Sequence, residues 1–247
     1  QLKTANGLTV LLFVMLFVGL AMFGVSKLVK RIRGLDPLSA FALYLLGVFA
    51  GAYLGILVGG GLAAPVTTAL QALPAALAKQ IVFFLAVLLA GALTAEVAFL
   101  FGLPVLTLGS DYFGIATVGF TMIVKVLLDN SDTMLGFEEM KGARGMISIP
   151  YMSSWLWIGF FLLLIVIITR NLLNSSHGRA VISVREDELA AKLMGIDVTS
   201  QKLLTFVIGS LFAGIAGGLY AHIDGFLHPS TFNFIKSFDP MIIIVMG

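Results

Sequence analysis

The sequence predicts an all-α protein, a polytopic bundle of transmembrane helices, and two observations lead to this fold class. Of the 247 residues, 59% are hydrophobic and 11% are charged, whereas an ordinary soluble domain has about 25% charged residues. Six stretches are also apolar over the roughly 20 residues that a helix needs to cross the hydrocarbon layer. A water-soluble globular domain is therefore excluded, and the lipid bilayer is the solvent of this chain.

The predicted spans follow one another along the whole chain. The first is interpreted as a retained anchor rather than a signal peptide, because a basic run at residues 27–33 follows it and no small-residue cleavage site is present. A further apolar run begins at Pro240 and stops at Gly247, so we expect the intact polypeptide to continue with at least one more segment. The six complete spans cover residues 8–26, 38–62, 81–103, 113–128, 151–169 and 203–223.

Basic residues are concentrated in two of the loops between these spans. One group lies in the run at residues 27–33, which includes Arg33, and the other lies in residues 170–202. Because lysine and arginine are enriched in cytoplasmic loops, this distribution predicts an external N-terminus and a cytoplasmic loop at residues 171–202.

Two spans carry small residues at every fourth position, which places them on one face of a helix. Such a face lets another helix approach closely, and close packing drives helix association in lipid. Helix packing is one interpretation, and a helix that slides or tilts during transport is the other. The stripe of the second span consists of Gly47, Gly51, Gly55 and Gly59, and that of the sixth span consists of Ser210, Gly214 and Gly218.

Few polar side chains lie within the spans. Glu96 lies near the end of the third span, and it must face protein, water or the interface because a charge at the centre of a span costs about 3 kcal/mol. Lys125 and Asp129 are four residues apart and are predicted to pair on one face of the fourth span. Trp155 and Trp157, at the start of the fifth span, are typical of an aromatic belt at the membrane interface.

Several classes of function are excluded by composition. The formal net charge is +2 and the chain has no cysteine, which excludes a strongly basic nucleic-acid surface, disulfides and thiolate-ligated metal sites. His222, Asp224 and His228 are interpreted as interfacial residues at a helix end rather than as metal ligands. The sequence contains no phosphate-binding loop of the GxxxxGK[ST] type and no convergent catalytic set, so no catalytic residue is predicted.

The polar loop between the fifth and sixth spans contains signals for a short helix over residues 183–195. Ser183 and Glu186 have the spacing of a capping box, and Gly195 is placed to end the helix. Leu189 and Leu193 predict a narrow apolar face. Acidic residues lead the polar face, which disfavours an anionic membrane surface. A helix that docks into a groove on a soluble partner and a passive loop helix remain as interpretations.

Residues 178–197, with the sequence GRAVISVREDELAAKLMGID, resemble the coupling loop of ABC importer permeases, and specifically of the branched-chain amino-acid permeases. The resemblance is specific from about residue 103 onward, and before that only the spacing of the spans is similar. Thr107 to Ser110 depart from the family pattern, which commonly has a basic residue there. The other similar segments are residues 110–120, 142–150, 202–221 and 225–234.

The resemblance implies that residues 1–247 form a single transmembrane permease domain of a high-affinity leucine, isoleucine and valine importer, in a bacterial or archaeal plasma membrane. The implied partners are a second homologous permease, two cytoplasmic ATPase subunits and an extracytoplasmic substrate-binding protein. No cofactor is expected on this chain, because ATP and Mg²⁺ would bind the partner ATPases. In the implied mechanism, the ATPases move the helix at residues 183–195 and thereby tilt the spans between two access states.

The candidate functional residues form two groups. The substrate-pathway group consists of Glu96, Asp111 and Tyr112. The ATPase-coupling group consists of Arg185, Glu186, Asp187, Glu188, Leu189, Ala190, Ala191, Leu193 and Gly195.

Two other functions remain open at this point. An ion-driven secondary carrier would give a role to Glu96 or to the pair of Lys125 and Asp129, but it gives no reason for the acid-led helix. A permease for urea or another small solute would share much of the loop and the fold, and nothing in the spans defines a leucine-sized pocket.

Overall fold

Long apolar helices dominate the structure, a computed structural model that describes residues 2–31, 37–71, 74–106, 110–131, 142–147 and 149–246. Within these residues, six helices are long and apolar enough to cross a membrane, so the predicted fold class is confirmed. The six are α1 (Leu2–Arg31), α2 (Pro37–Gln71), α3 (Ala75–Leu106), α4 (Ser110–Asp129), α5 (Trp155–Asn174) and α8 (Val198–Asp224). The shorter helices are α6 (Ser176–Glu186), α7 (Glu188–Leu193) and α9 (Phe238–Met246).

Some of the features named in the sequence lie outside this description. They are Arg33, residues 107–109, Ser148, Gly247 and the side chains of Lys30, Arg31, Ser110 and Asp111.

The chain divides into two compact units. The first comprises Gln1–Leu106 and Leu156–Gly218, and the second comprises Thr107–Trp155 and Leu219–Gly247. The first unit therefore holds both glycine-bearing spans and the polar loop that contains α6 and α7.

The glycine stripe of α2 lies against α1 in the first unit. A Cβ atom at Gly51 would lie 2.8 Å from both the carbonyl oxygen of Phe17 and the Cα atom of Val18. One at Gly59 would lie 2.9 Å from the Cα atom of Val10. Because these neighbours are backbone atoms, the two helices touch along their main chains and leave no room for a larger side chain. The same face of α2 carries Gly47 and Gly55.

A second close contact joins α8 to α3. A Cβ atom at Gly214 would lie 2.8 Å from the carbonyl oxygen of Ala90, and one at Gly91 would lie 2.7 Å from Cγ1 of Ile215. Thr94 is also beside Gly214, and its hydroxyl donates to the Ala90 carbonyl at 2.7 Å. The contact continues along α8 to Gly218, whereas Ser210 is half-buried.

Aromatic side chains hold α5 against α3. Phe83 is 2% exposed and Phe161 is fully buried. The Trp157 ring meets Phe83 edge to face with centroids 5.5 Å apart, and Phe84 stacks on Phe161 at 5.7 Å. Trp157 thus contributes to helix packing, in addition to the interfacial role that its position predicts, whereas Trp155 is 88% exposed.

In the second unit, the segment before α5 is tied to the chain that follows α8. Met146 and Leu227 exchange backbone hydrogen bonds of 2.7 and 3.0 Å, and the ring of His222 contacts the Pro150 carbonyl at 2.8 Å. Gly225, which directly follows α8, makes the turn there with φ +69°, a conformation that favours glycine.

His228, Lys236 and Asp239 make local contacts in this unit. His228 accepts from the Ser230 backbone at 3.1 Å, and Lys236 pairs with Asp239 at 3.0 Å. This hydrogen bond raises the pKa of Lys236. No ion pair joins Lys125 to Asp129 in the described α4, so the pairing predicted there is wrong.

Candidate functional site

The site begins at the sharp corner between α5 and α6. Ser175 occupies this corner, where its hydroxyl donates to the Leu172 carbonyl at 2.6 Å and accepts from the Gly178 backbone at 3.2 Å. A Cβ atom at Gly178 would lie 2.6 Å from the Cα atom of Leu173. The capping serine and the close approach at Gly178 together fix the direction in which α6 leaves α5.

The single helix predicted over residues 183–195 is wrong, because two helices meet at Asp187. Ser183 lies inside α6, and its hydroxyl donates back to the Ala180 carbonyl at 2.8 Å instead of capping a new helix. Asp187 has an extended backbone, and its carboxylate accepts from Leu189 N at 2.8 Å and from Ala190 N at 3.0 Å. A carboxylate at this position satisfies backbone donors that the first turn of a helix leaves free.

The C-terminal end of α7 is at the glycine that the sequence indicates. Gly195 has φ +82° and donates to the Lys192 carbonyl at 3.1 Å, and Ile196 donates to the Ala191 carbonyl at 3.1 Å. This pair of hydrogen bonds is a Schellman motif, in which glycine is favoured by its positive φ. Helix α7 is therefore a capped unit with two defined ends.

Large apolar side chains of α7 and of Met194, the residue that ends this helix, project into solvent. Leu189 is 75% exposed, Leu193 is 89% exposed and Met194 is 82% exposed. Ala191, on the same helix, is only 3% exposed and faces the protein. Leu189 and Leu193 are four residues apart and share one face. We call Leu189, Leu193 and Met194 the docking face.

An ion pair connects α7 to the start of α8. Lys202 Nζ lies 2.7 Å from Glu188 Oε2, and a second exposed pair joins Arg185 to Glu186. Exposed pairs of this kind contribute roughly 0–1 kcal/mol to stability. The pair between Glu188 and Lys202 therefore matters for the orientation of α7 relative to α8 rather than for stability. The local sequence pattern does not indicate this role of Lys202, because 14 residues separate it from Glu188.

The candidate pathway residues belong to different units of the chain. Glu96 is half-buried on α3, and its Oε1 would lie 3.4 Å from a Cβ atom placed at Gly19 of α1. Tyr112 belongs to the second unit and is 67% exposed. The backbone of Asp111 begins α4, and its side chain lies outside the described part of the chain.

Substitution of Asp187 by alanine should loosen α7. The loss of this cap is expected to cost about 1 kcal/mol, and the Leu189 and Ala190 amides lose their acceptor. Hydrogen–deuterium exchange at the α7 amides should become about fivefold faster.

Asp187→Asn provides the control, because asparagine caps a helix about as well as aspartate. Equal exchange rates in the wild type and in Asp187→Ala would contradict the role of this residue as the cap.

Comparisons with known proteins match this chain over most of its length. A family model described as "Branched-chain amino acid transport system / permease component" matches residues 8–247. The permease protein LivM of the high-affinity branched-chain amino acid transport system of Salmonella typhimurium is 35% identical, over 64% of this chain and 44% of that protein. The corresponding LivH permease of Escherichia coli is 34% identical, over 41% of this chain and 32% of that protein.

A more distant relative is archaeal. The probable branched-chain amino acid transport permease protein LivM of Methanocaldococcus jannaschii is 27% identical, over 67% of this chain and 50% of that protein. The chain spans about half the length of the curated relatives that it matches. No solved structure matches. The family match includes the six candidate spans and the polar loop with α6 and α7. The chain therefore belongs to the branched-chain amino acid ABC transporter permeases, as a multi-pass membrane subunit that is not itself an ATPase.

Proposed function

We propose that this chain moves leucine, isoleucine and valine across the membrane as one permease of an ATP-driven importer. Support for the substrate comes from its relatives, whose names specify branched-chain amino acid transport. The proposed partners are a second homologous permease, two ATPase subunits that bind ATP and Mg²⁺, and an extracytoplasmic substrate-binding protein. The alternatives of a urea permease and an ion-driven carrier have no comparable support.

The observation that carries the coupling proposal is the exposed docking face of α7. Three large apolar side chains stand in solvent on a capped helix next to a membrane span. Exposed apolar groups of this kind mark interaction sites, and a short helix that presents them fits a hydrophobic groove on a partner. We propose that this groove lies on an ATPase subunit.

The proposed mechanism passes motion from α7 to α8. When the two ATPases close on ATP, α7 moves with the groove that holds it. Glu188 then carries this displacement to Lys202, at the start of the span whose close contact with α3 runs through Gly214. A small shift at one end of a packed helix pair produces tilting between two access states.

The positive-inside rule supports an orientation in which residues 171–202 are cytoplasmic and the N-terminus is external. Glu96, Asp111 and Tyr112 are the proposed pathway residues. Glu96 is a half-buried carboxyl group within a span, and because such a placement costs free energy, an ionisable residue there indicates a functional site.

Reconstitution of the whole transporter into vesicles tests this proposal. With binding protein outside and ATP inside, we expect leucine uptake that stops when ATP is left out and that Glu96→Gln reduces. Uptake of leucine driven by a proton or sodium gradient without ATP would exclude an ABC importer. Stimulation of ATP hydrolysis by urea, with none by leucine, isoleucine or valine, would exclude the proposed substrate.

A further inference from the structure

An open cleft lies beside the coupling loop, between α6, the first half of α8 and the last residue of α3. Its volume is about 640 Å³, which is within the usual range of roughly 300–1,000 Å³ for ligand sites. All of its lining residues belong to the first compact unit. They are Leu106, Val181, Val184, Arg185, Gln201, Lys202, Thr205, Phe206, Gly209, Ser210 and Ala213.

The cleft changes in chemistry from one end to the other. Lys202 lies at the start of α8, and Ala213 lies eleven residues further along it, a distance of about 16 Å in a helix. Arg185 joins Lys202 at the first end, whereas aliphatic, aromatic and small side chains line the rest. The cleft is thus cationic near the start of α8 and apolar further along the helix.

Small residues keep the apolar part of the cleft open. A Cβ atom at Gly209 would find no other atom within 4 Å, and Ser210 and Ala213 continue the small lining. Phe206 provides an apolar wall beside them. An unbranched hydrocarbon chain parallel to α8 fits this shape better than a compact polar ligand does.

The charged end of the cleft suits an anion. No acidic residue is among the lining residues of the described cleft, although Glu186 and Glu188 pair with the two cations. Arginine has five N–H donors and lysine has three, so Arg185 and Lys202 retain donors beyond these pairs. Gln201 adds a buried Oε1 atom that has no hydrogen-bond donor within the described residues.

We propose that this cleft binds an acidic phospholipid of the cytoplasmic leaflet, with its phosphate at Arg185 and Lys202 and one acyl chain along Phe206 and Gly209. Basic pockets at the cytoplasmic ends of spans are known to hold such head groups. The assignment to the cytoplasmic leaflet rests on the orientation given in the proposed function. The existence of the cleft, its charges and its apolar wall do not depend on that orientation.

Native mass spectrometry of the delipidated whole transporter, titrated with dioleoyl phosphatidylglycerol or dioleoyl phosphatidylcholine, tests the site. We expect tighter binding of phosphatidylglycerol than of phosphatidylcholine. The double variant Arg185→Gln and Lys202→Gln should weaken it about 25-fold, roughly fivefold for each basic residue. Lys202→Arg keeps the charge and should bind like the wild type. Equal affinity for both lipids, unchanged in the double variant, would overturn the proposal.

Gly209→Leu tests the acyl-chain part of the cleft. The new side chain meets no protein atom at its Cβ but fills the cleft, so both lipids should bind less. Gly217→Leu is the matched control, since its Cβ is equally free and Gly217 does not line the cleft. If Gly209→Leu lowers thermal stability and leaves lipid binding intact, a protein segment occupies the cleft and the proposal is wrong.

Lipid binding is measured without ATP or amino acid. A failure of leucine-dependent transport would therefore overturn the proposed function without changing the result at the cleft.

Discussion

Replacement of both Leu189 and Leu193 by aspartate is expected to abolish leucine uptake and to release the ATPase subunits from the purified transporter. These leucines are 75% and 89% exposed in this chain, and burying each one in a partner is worth roughly 1.5–3 kcal/mol. Loss of both should weaken association by at least about 100-fold, and two buried carboxylates would weaken it further. Copurification of the ATPases and uptake in vesicles measure the effect.

Lys192→Asp is the matched control for this double variant. It places the same acidic group on α7, on an exposed residue outside the docking face, and should leave most of the ATPase bound. Full copurification and normal uptake in the double leucine variant would show that the ATPases dock elsewhere.

Gly51→Leu is expected to separate α1 from α2 and to lower the thermal stability of the permease. The Cβ atom alone would lie 2.8 Å from the Phe17 carbonyl oxygen and the Val18 Cα atom. Backbone atoms cannot rotate out of the way, so the cost should reach or exceed about 3 kcal/mol, the upper end for overpacked sites. Thermal unfolding of the purified protein in detergent provides the measurement.

Gly60→Leu is the control for this change on the same helix. A Cβ atom at Gly60 meets nothing within 4 Å, so this substitution should leave the unfolding temperature almost unchanged. Equal shifts in the two variants would mean that loss of glycine in α2, rather than the contact with α1, determines stability.

The spans could be predicted from the sequence because hydropathy acts along one helix at a time. Five of the predicted spans lie within a helix of the structure, whereas the fifth, predicted over residues 151–169, begins four residues before α5. The spacing of small residues was informative for the same reason, since a four-residue repeat selects one face of a helix. Gly51 and Gly214 indeed lie where α2 and α8 meet a neighbouring backbone.

The start of the loop helix could not be predicted because it depends on contacts beyond the local pattern. Ser183 and Glu186 have capping-box spacing, yet a helix has already begun at Ser176. The corner at Ser175 and Gly178 determines where this helix begins. The close approach of the corner to the end of α5 cannot be predicted from the spacing of residues in the sequence. The Ser175-Ser176 pair was the available signal, and Asp187 was a second capping residue that competed with Ser183.

The cleft also could not be predicted, because its walls come from distant parts of the chain. Leu106, Val181 and Phe206 meet only after α3, α6 and α8 have packed. Lys202 and Glu188 form an ion pair across 14 residues in a similar way. Sequence periodicity carries no information about such pairings.

The break at Asp187 has a mechanical consequence for coupling. Its extended backbone, with φ −153° and ψ 112°, ends one helix and begins the next, so α6 and α7 do not form a continuous rod. In the proposed mechanism, this break separates the motion of α7 from that of α6, because the two helices do not turn as one rigid element. The proposed displacement of α7 would then reach α8 through the ion pair between Glu188 and Lys202, without α6 having to turn with it.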